Sequence, residues 1–219
     1  MAQKSCLLAK KMTKQIHCCY LLFLPSGYER TKKKWPLILF LHGAGERGDD
    51  LNLVKKHGVA KIVENDPAFP FIVASPQCPK EQWWSMEALV ALLDNLETKY
   101  RIDPERIYVT GLSMGGFATW QLAFENPHRF AAIAPICGGG IANLTFRVKH
   151  LPIWAFHGAK DETVPVEESQ RLVAALRKRG GKPKLTIYRN AGHDSWTLAY
   201  ANKKLYAWFL AHRKQSIKI

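Results

Sequence analysis

Apolar residues fall into two kinds of run along the chain. Short, dense runs rich in β-branched and aromatic residues read as strands: IHCCYLLFLP at 16–25, PLILFLHG at 36–43, FIVASP at 71–76, RIYVTG at 106–111, FAAIAPIC at 130–137, PIWAFHG at 152–158 and KLTIYRN at 184–190. Between most of them lie longer stretches with apolar residues at helical spacing, at 52–65, 87–100, 115–127, 166–180 and 195–210. Strand and helix therefore alternate, which predicts the α/β class: an open, mostly parallel sheet with helices on both faces. The first two strands flank the polar segment SGYERTKKK at 26–34, which suits an antiparallel hairpin. The later strands are apolar on both faces, as buried parallel strands should be. No repeat, low-complexity tract or linker interrupts the pattern, so residues 1–219 are expected to form a single domain.

One segment departs from both periods. In YVTGLSMGGFATW, residues 108–120, Ser113 stands between Gly111 and Gly115 at the junction of a strand and a helix. Glycine weakens regular elements but permits abrupt turns and close backbone approach. A G-x-S-x-G pattern in that context projects the serine hydroxyl above the sheet, at the N-terminal end of the following helix. Ser113 is the expected nucleophile.

Serine needs a base to take its proton as it attacks. In such sheets the reactive residues gather after the C-terminal ends of strands. Of the eight histidines, His193 in NAGHDSW follows the last strand and precedes the last helix, and is the expected base. His42 and His157, in LHGAG and FHGAK, suit the bracing of a loop. Asp161 in HGAKDETVPV is the expected acid, since it follows a late strand and lies between nucleophile and base in the chain. Glu162 and Asp194 are its weaker rivals. An aspartate in this position fixes the imidazole tautomer and stabilises the imidazolium.

The order Ser113, Asp161, His193 is that of the α/β hydrolases. With PLILFLHGAGERGDD, GLSMGG, HGAKDETVPV and AGHDSW, the chain resembles that superfamily over nearly its full length. Within it, the resemblance is to small serine carboxylesterases of the phospholipase/carboxylesterase, dienelactone-hydrolase and feruloyl-esterase neighbourhood. That likeness implies an oxyanion hole made by the backbone N–H of Met114 and one from the HGAG loop, Ala44 with Gly45 as the alternative. Only fourteen residues, GGGIANLTFRVKHL, separate the fifth and sixth strands, so no cap domain is expected. Of Trp83 and Trp84, in the loop after FIVASP, Trp84 is preferred as an aromatic wall for substrate.

These residues point to a cofactor-independent serine esterase acting on short-chain or aromatic carboxylic esters, its partner a small-molecule ester. The competing readings are a peptidase of prolyl-oligopeptidase-like type and a non-catalytic binding protein on the same fold. No His/Cys cluster has metal-ligand spacing, so no metal or other cofactor is expected. Composition changes little. Apolar residues at 47% and charged residues at 23% are ordinary for a globular protein. The net charge of +14 is carried by scattered Lys and Arg without an interleaved aromatic motif, so it reads as solvated surface and nucleic acid is not an expected partner. No apolar run is long enough to span a bilayer. The five cysteines, an odd number, read as mostly reduced, and a cytoplasmic location is the expectation.

Overall fold

The computed structural model describes residues 3–214. A seven-stranded sheet runs through the molecule in the order β1-β3-β2-β4-β5-β6-β7. Its strands are β1 (Tyr20–Phe23), β2 (Trp35–Leu41), β3 (Ile72–Pro76), β4 (Ile102–Leu112), β5 (Ala132–Ile136), β6 (Trp154–Gly158) and β7 (Lys184–Tyr188). Every pairing is parallel except that of β1 with β3. The helices are α1 (Gly58–Val63), α2 (Met86–Lys99), α3 (Met114–Glu125), α4 (Glu167–Lys178), α5 (Trp196–Ala201) and α6 (Lys203–Leu210).

Side-chain alternation divides the core between the two faces of this sheet. Leu37, Leu39 and Leu41 of β2 pack with Leu92 and Leu96 of α2, Trp120 of α3 and Leu172 and Leu176 of α4. Ile38 and Phe40 turn to the other face, where they meet Val59 of α1, Tyr200 of α5 and Phe209 of α6. A strand with apolar residues on both sides must be covered twice, and helices on both faces do this. The expected α/β-hydrolase architecture is therefore present.

The expected hairpin is not. β3 lies between β1 and β2, so β1 is antiparallel to β3 and not to β2. Burial explains the arrangement: all seven residues of β2 are buried and need a strand on each side, whereas β1 is only half-buried and suits an edge. The intervening segment has its own anchor. Tyr28 is buried, its hydroxyl accepts the N–H of Arg101 at 2.9 Å, and the Arg101 guanidinium stacks 3.9 Å from its ring centroid. This ties the segment to the α2–β4 corner. The first strand is also shorter than the apolar run at 16–25.

Two expected helices are each divided. The first breaks at Gly58, at φ 66, where a Cβ would lie 2.2 Å from the Phe40 ring; a 3₁₀ turn over Leu51–Lys56 precedes it. The last breaks at Asn202, whose side chain accepts the N–H of Lys204 at 3.1 Å and caps α6. Between β5 and β6 the only helical element is a 3₁₀ turn over Ala142–Val148, so among the described residues no large cap covers the sheet edge. No helix among the described residues is long and apolar enough to cross a membrane.

Candidate active site

The C-terminal ends of β4, β6 and β7 bring three side chains together. Ser113 follows β4 directly and sits at φ 52 and ψ −118, a conformation that an L-residue adopts only under constraint. The constraint is close packing on either side. A Cβ on Gly111 would lie 2.4 Å from the carbonyl oxygen of Gly115, and one on Gly115 would lie 2.0 Å from that of Leu41. With glycine at both positions, the turn is sharp enough to present the serine hydroxyl at the sheet edge. The Ser113 N–H donates to the Ile136 carbonyl at 3.0 Å and lies 3.3 Å from the Cys137 sulfur.

His193 opens a 3₁₀ turn after β7. Its Nε2 is 2.9 Å from Ser113 Oγ and its Nδ1 is 2.8 Å from Asp161 Oδ2. The carboxylate accepts at Nδ1, so Nδ1 carries the proton and Nε2 is left to accept from the hydroxyl. Trp196 packs edge-on to the imidazole, with centroids 5.2 Å apart.

Asp161 lies in the loop after β6 with its side chain fully buried. Its Oδ1 accepts the N–H groups of Thr163 at 3.0 Å and Val164 at 2.9 Å. Its Oδ2 accepts from His193 and lies 3.2 Å from Nε2 of His157. His157 Nε2 also donates to the Val164 carbonyl at 2.8 Å, while its Nδ1 is 2.8 Å from the Ser169 hydroxyl. Burial pushes the Asp161 carboxyl up, but the hydrogen bonds from His193, Val164 and Thr163 outweigh it and hold the group below its ordinary value. The carboxylate is thus kept ionised. Glu162 and Asp194, the alternatives, are both exposed.

The loop after β2 lies against the serine from the other side. A Cβ on Gly43 would be 3.6 Å from Ser113 Cβ. The Gly43 N–H is taken by the buried carboxylate of Glu46 at 3.0 Å. The next N–H in this loop is that of Ala44. Among the described residues, neither it nor the Met114 N–H at the start of α3 donates to a protein acceptor. Beneath this loop, His42 is buried. Its Nδ1 is 2.6 Å from the Gly43 carbonyl, and its Nε2 accepts the Cys78 N–H at 3.0 Å. Burial lowers the His42 pKa to about 4, against the raising effect of the Gly43 carbonyl, so the ring is neutral at pH 7.

Trp84 requires a correction. It is buried, its indole N–H donates to the His42 carbonyl at 3.3 Å, and its ring packs on the His42 imidazole at 4.7 Å. It braces the loop, and the little it leaves open faces the cavity beneath the N-terminal arm rather than the groove along α3. Its neighbour Trp83 is 54% exposed and meets Phe117 edge-on, with centroids 6.2 Å apart. These two rings, with Phe124, Ile141 and Leu144, line a groove of about 310 Å³ along α3. Phe117 is one helical turn from Ser113, and its N–H donates to the Ser113 carbonyl at 3.0 Å.

Two further residues were not anticipated from the sequence. Glu46 had a signal, since a glutamate three residues after Gly43 has the spacing that lets a side chain return to a turn's first N–H. Cys137 had none. Its sulfur, an Asp161 oxygen and a His193 nitrogen all lie within 4.8 Å of one another. Burial pushes this thiol up to about 12, so it is a protonated packing group beneath the serine.

The dienelactone hydrolase family profile matches residues 12–204. A thermostable esterase of known structure superposes with a TM-score of 0.77 at 37% identity, covering 89% of this chain and 59% of that one. The chain is 33% identical over 112 residues to poly(3-hydroxyalkanoate) depolymerase C of Paucimonas lemoignei, covering 51% of this chain and 26% of that protein. It is 24% identical over 157 residues to a probable feruloyl esterase C of Aspergillus terreus, covering 68% and 56%. The chain thus spans less than two thirds of the length of each of these proteins.

The geometry leads to two expected outcomes. Because Ser113 is held at positive φ, Ser113→Gly is expected to raise stability by about 1 kcal/mol over Ser113→Ala, measured by urea unfolding. For His42, the folded pKa of about 4 lies below the ordinary 6.5, so the folded state binds fewer protons between those values. Stability is complete above pH 6.5 and falls as pH drops toward 4, by on the order of 3 kcal/mol. Unfolding midpoints at pH 7 and 4.5 should converge in His42→Asn relative to the parent.

Proposed function

The chain belongs to the dienelactone hydrolase family, and from that premise we propose that it hydrolyses carboxylic esters through an acyl-enzyme on Ser113. The observation that carries the reading is the continuous line from Ser113 Oγ through His193, 2.9 Å away, to Asp161 at 2.8 Å. His193 Nε2 takes the hydroxyl proton as Oγ attacks the ester carbonyl carbon. The oxyanion that forms is met by the N–H groups of Ala44 and Met114, which are fixed before charge develops. Collapse of the tetrahedral species expels the alcohol, with the proton passed from His193 to its oxygen. Water then repeats the sequence on the acyl-enzyme, releasing the acid and regenerating Ser113. Throughout, Asp161 remains ionised and stabilises the transient imidazolium. No cofactor enters this scheme.

The substrate class is argued from the surroundings. The residue Ser113 is only partly buried and no large cap among the described residues lies over it, so the acyl chain has little depth to enter. The open aromatic surface is the Trp83–Phe117 groove. We assign short acyl groups and aromatic esters to this site, with Trp83 in the role expected of Trp84.

Ser113→Ala should lower kcat by about 10⁴-fold or more, and His193→Ala by nearly as much, with the double variant little worse because the groups act as a unit. Asp161→Asn should lose about 10³–10⁴-fold. An organophosphonate should label Ser113 once per chain. Labelling of Ser75 or Ser195 instead, or full activity in Ser113→Ala, contradicts the assignment.

A rate series from acetyl to palmitoyl esters should peak among short chains, since each CH₂ adds about 0.8 kcal/mol only while it finds cover. Trp83→Ala should raise KM for an aryl ester and leave ethyl acetate unaffected. A palmitoyl optimum, or a jump in rate at the tributyrin solubility limit, would sink the reading of an open site.

A further inference from the structure

The antiparallel ladder between β1 and β3 does not stop where the two strands end. Tyr20 is opposite Pro76, and the Gln77 N–H donates to the Cys19 carbonyl at 2.9 Å, which carries the same register one step further. The following step sets Cys18 opposite Cys78. Antiparallel pairs alternate between hydrogen-bonded and non-hydrogen-bonded. Pro76 has no N–H and Gln77 bonds across to Cys19, so Cys18 and Cys78 form a non-hydrogen-bonded pair. The backbone of Cys78 agrees: its N–H goes to His42 Nε2 and its carbonyl accepts from Gly48 at 3.0 Å, both away from β1. Opposed residues of this kind have Cα atoms about 4.5 Å apart, within the window of about 4.4–6.8 Å that a disulfide spans.

The side chains share one face as well as one rung. Cys18 packs with Tyr20 and Leu22 against the core layer that contains Cys78 and Trp84, while Leu21 and Phe23 turn to the other layer. Both cysteines line the same cavity of about 190 Å³, between the N-terminal arm and the loop carrying Trp83. Both are free thiols in this structure, and each sulfur has only a weak contact with a backbone carbonyl. The odd cysteine count hides this pairing, because Cys6, Cys19 and Cys137 lie elsewhere.

We propose that Cys18 and Cys78 are a disulfide-forming pair, cross-linked by a low-molecular-weight disulfide oxidant to staple the N-terminal arm to the loop that anchors His42. The half-buried Cys18 is the accessible partner. Its thiolate attacks a sulfur of the oxidant and releases one thiol, leaving a mixed disulfide on Cys18. The Cys78 thiolate then attacks the Cys18 sulfur and releases the second thiol. The protein dithiol is oxidised, the oxidant is reduced to two thiols, and the two protons are carried by those products. Because burial, with the neighbouring Cys19 and Cys78, raises Cys18 to about 11, the reactive thiolate is scarce at neutral pH.

The test uses the reduced 219-residue chain incubated with oxidised glutathione. A peptide map without reductant should contain a Cys18–Cys78 link, and Tm should rise by roughly 5–10 °C, reversed by dithiothreitol. The rate of linking should increase about tenfold per pH unit from pH 7 to 9. Cys18→Ser should abolish the link and the Tm shift, whereas Cys6→Ser and Cys19→Ser should keep both. A link that survives in Cys18→Ser, or glutathione adducts with no internal link after prolonged oxidation at pH 9, would overturn the proposal.

Discussion

A serine held at positive φ between two glycines is the constraint on which the rest of the site depends. Gly111 and Gly115 let β4 and α3 approach neighbouring backbone at distances that a Cβ would forbid, with atoms of Leu41 and Gly115 as the limiting contacts. The same closeness brings the start of α3 under the serine, and among the described residues the N–H of Met114 has no protein acceptor. It also sets Ser113 against Ile136, the last residue of the adjacent strand, and Cys137 just beyond it. Loss of either glycine would therefore move the hydroxyl, its N–H donor and the neighbouring strand together. Strain at one residue is maintained by packing at several.

Electrostatics completes what the turn begins. A fully buried carboxylate is unfavourable unless its lone pairs are occupied, and Asp161 meets this condition with two backbone N–H groups and the His193 imidazole, while His157 Nε2 lies close by at 3.2 Å. His157, locked between Ser169 and Val164, holds the loop that holds the acid. On the opposite side, neutral His42 joins the Gly43 turn to Cys78 and Trp84. Besides the reactive imidazole, two further histidines near the site do positional work.

Much of this was legible in the sequence because it depends on strand order. Ser113 comes directly after a short apolar run, Asp161 and His193 in the loops that follow two others, and parallel strands deliver their succeeding loops to one edge of the sheet. Trp83 and Trp84 were not distinguishable, because neighbours in an irregular loop obey no period. Which one turns inward is decided by an acceptor from elsewhere, the His42 carbonyl. The hairpin failed for a related reason: nearness in sequence suggested β1 beside β2, while the complete burial of β2 required β3 between them. Gly58 gave no sign of splitting its helix, since the ring of Phe40 that it accommodates lies on a distant strand.

The place of β1 also sets an order of assembly. Its strand partner among the described residues, β3, begins at Ile72, so β1 cannot pair into the sheet until roughly fifty further residues have been made. Until then Leu21, Leu22 and Phe23 have no ladder and no core layer to enter. The chain surrounds them with charge, Lys10, Lys11 and Lys14 before the strand and Lys32, Lys33 and Lys34 after it. Such flanking lysines oppose edge-to-edge association between unfinished chains. Lysines on either side of β1 are thus placed where they would shield it in the interval between its synthesis and its pairing with β3.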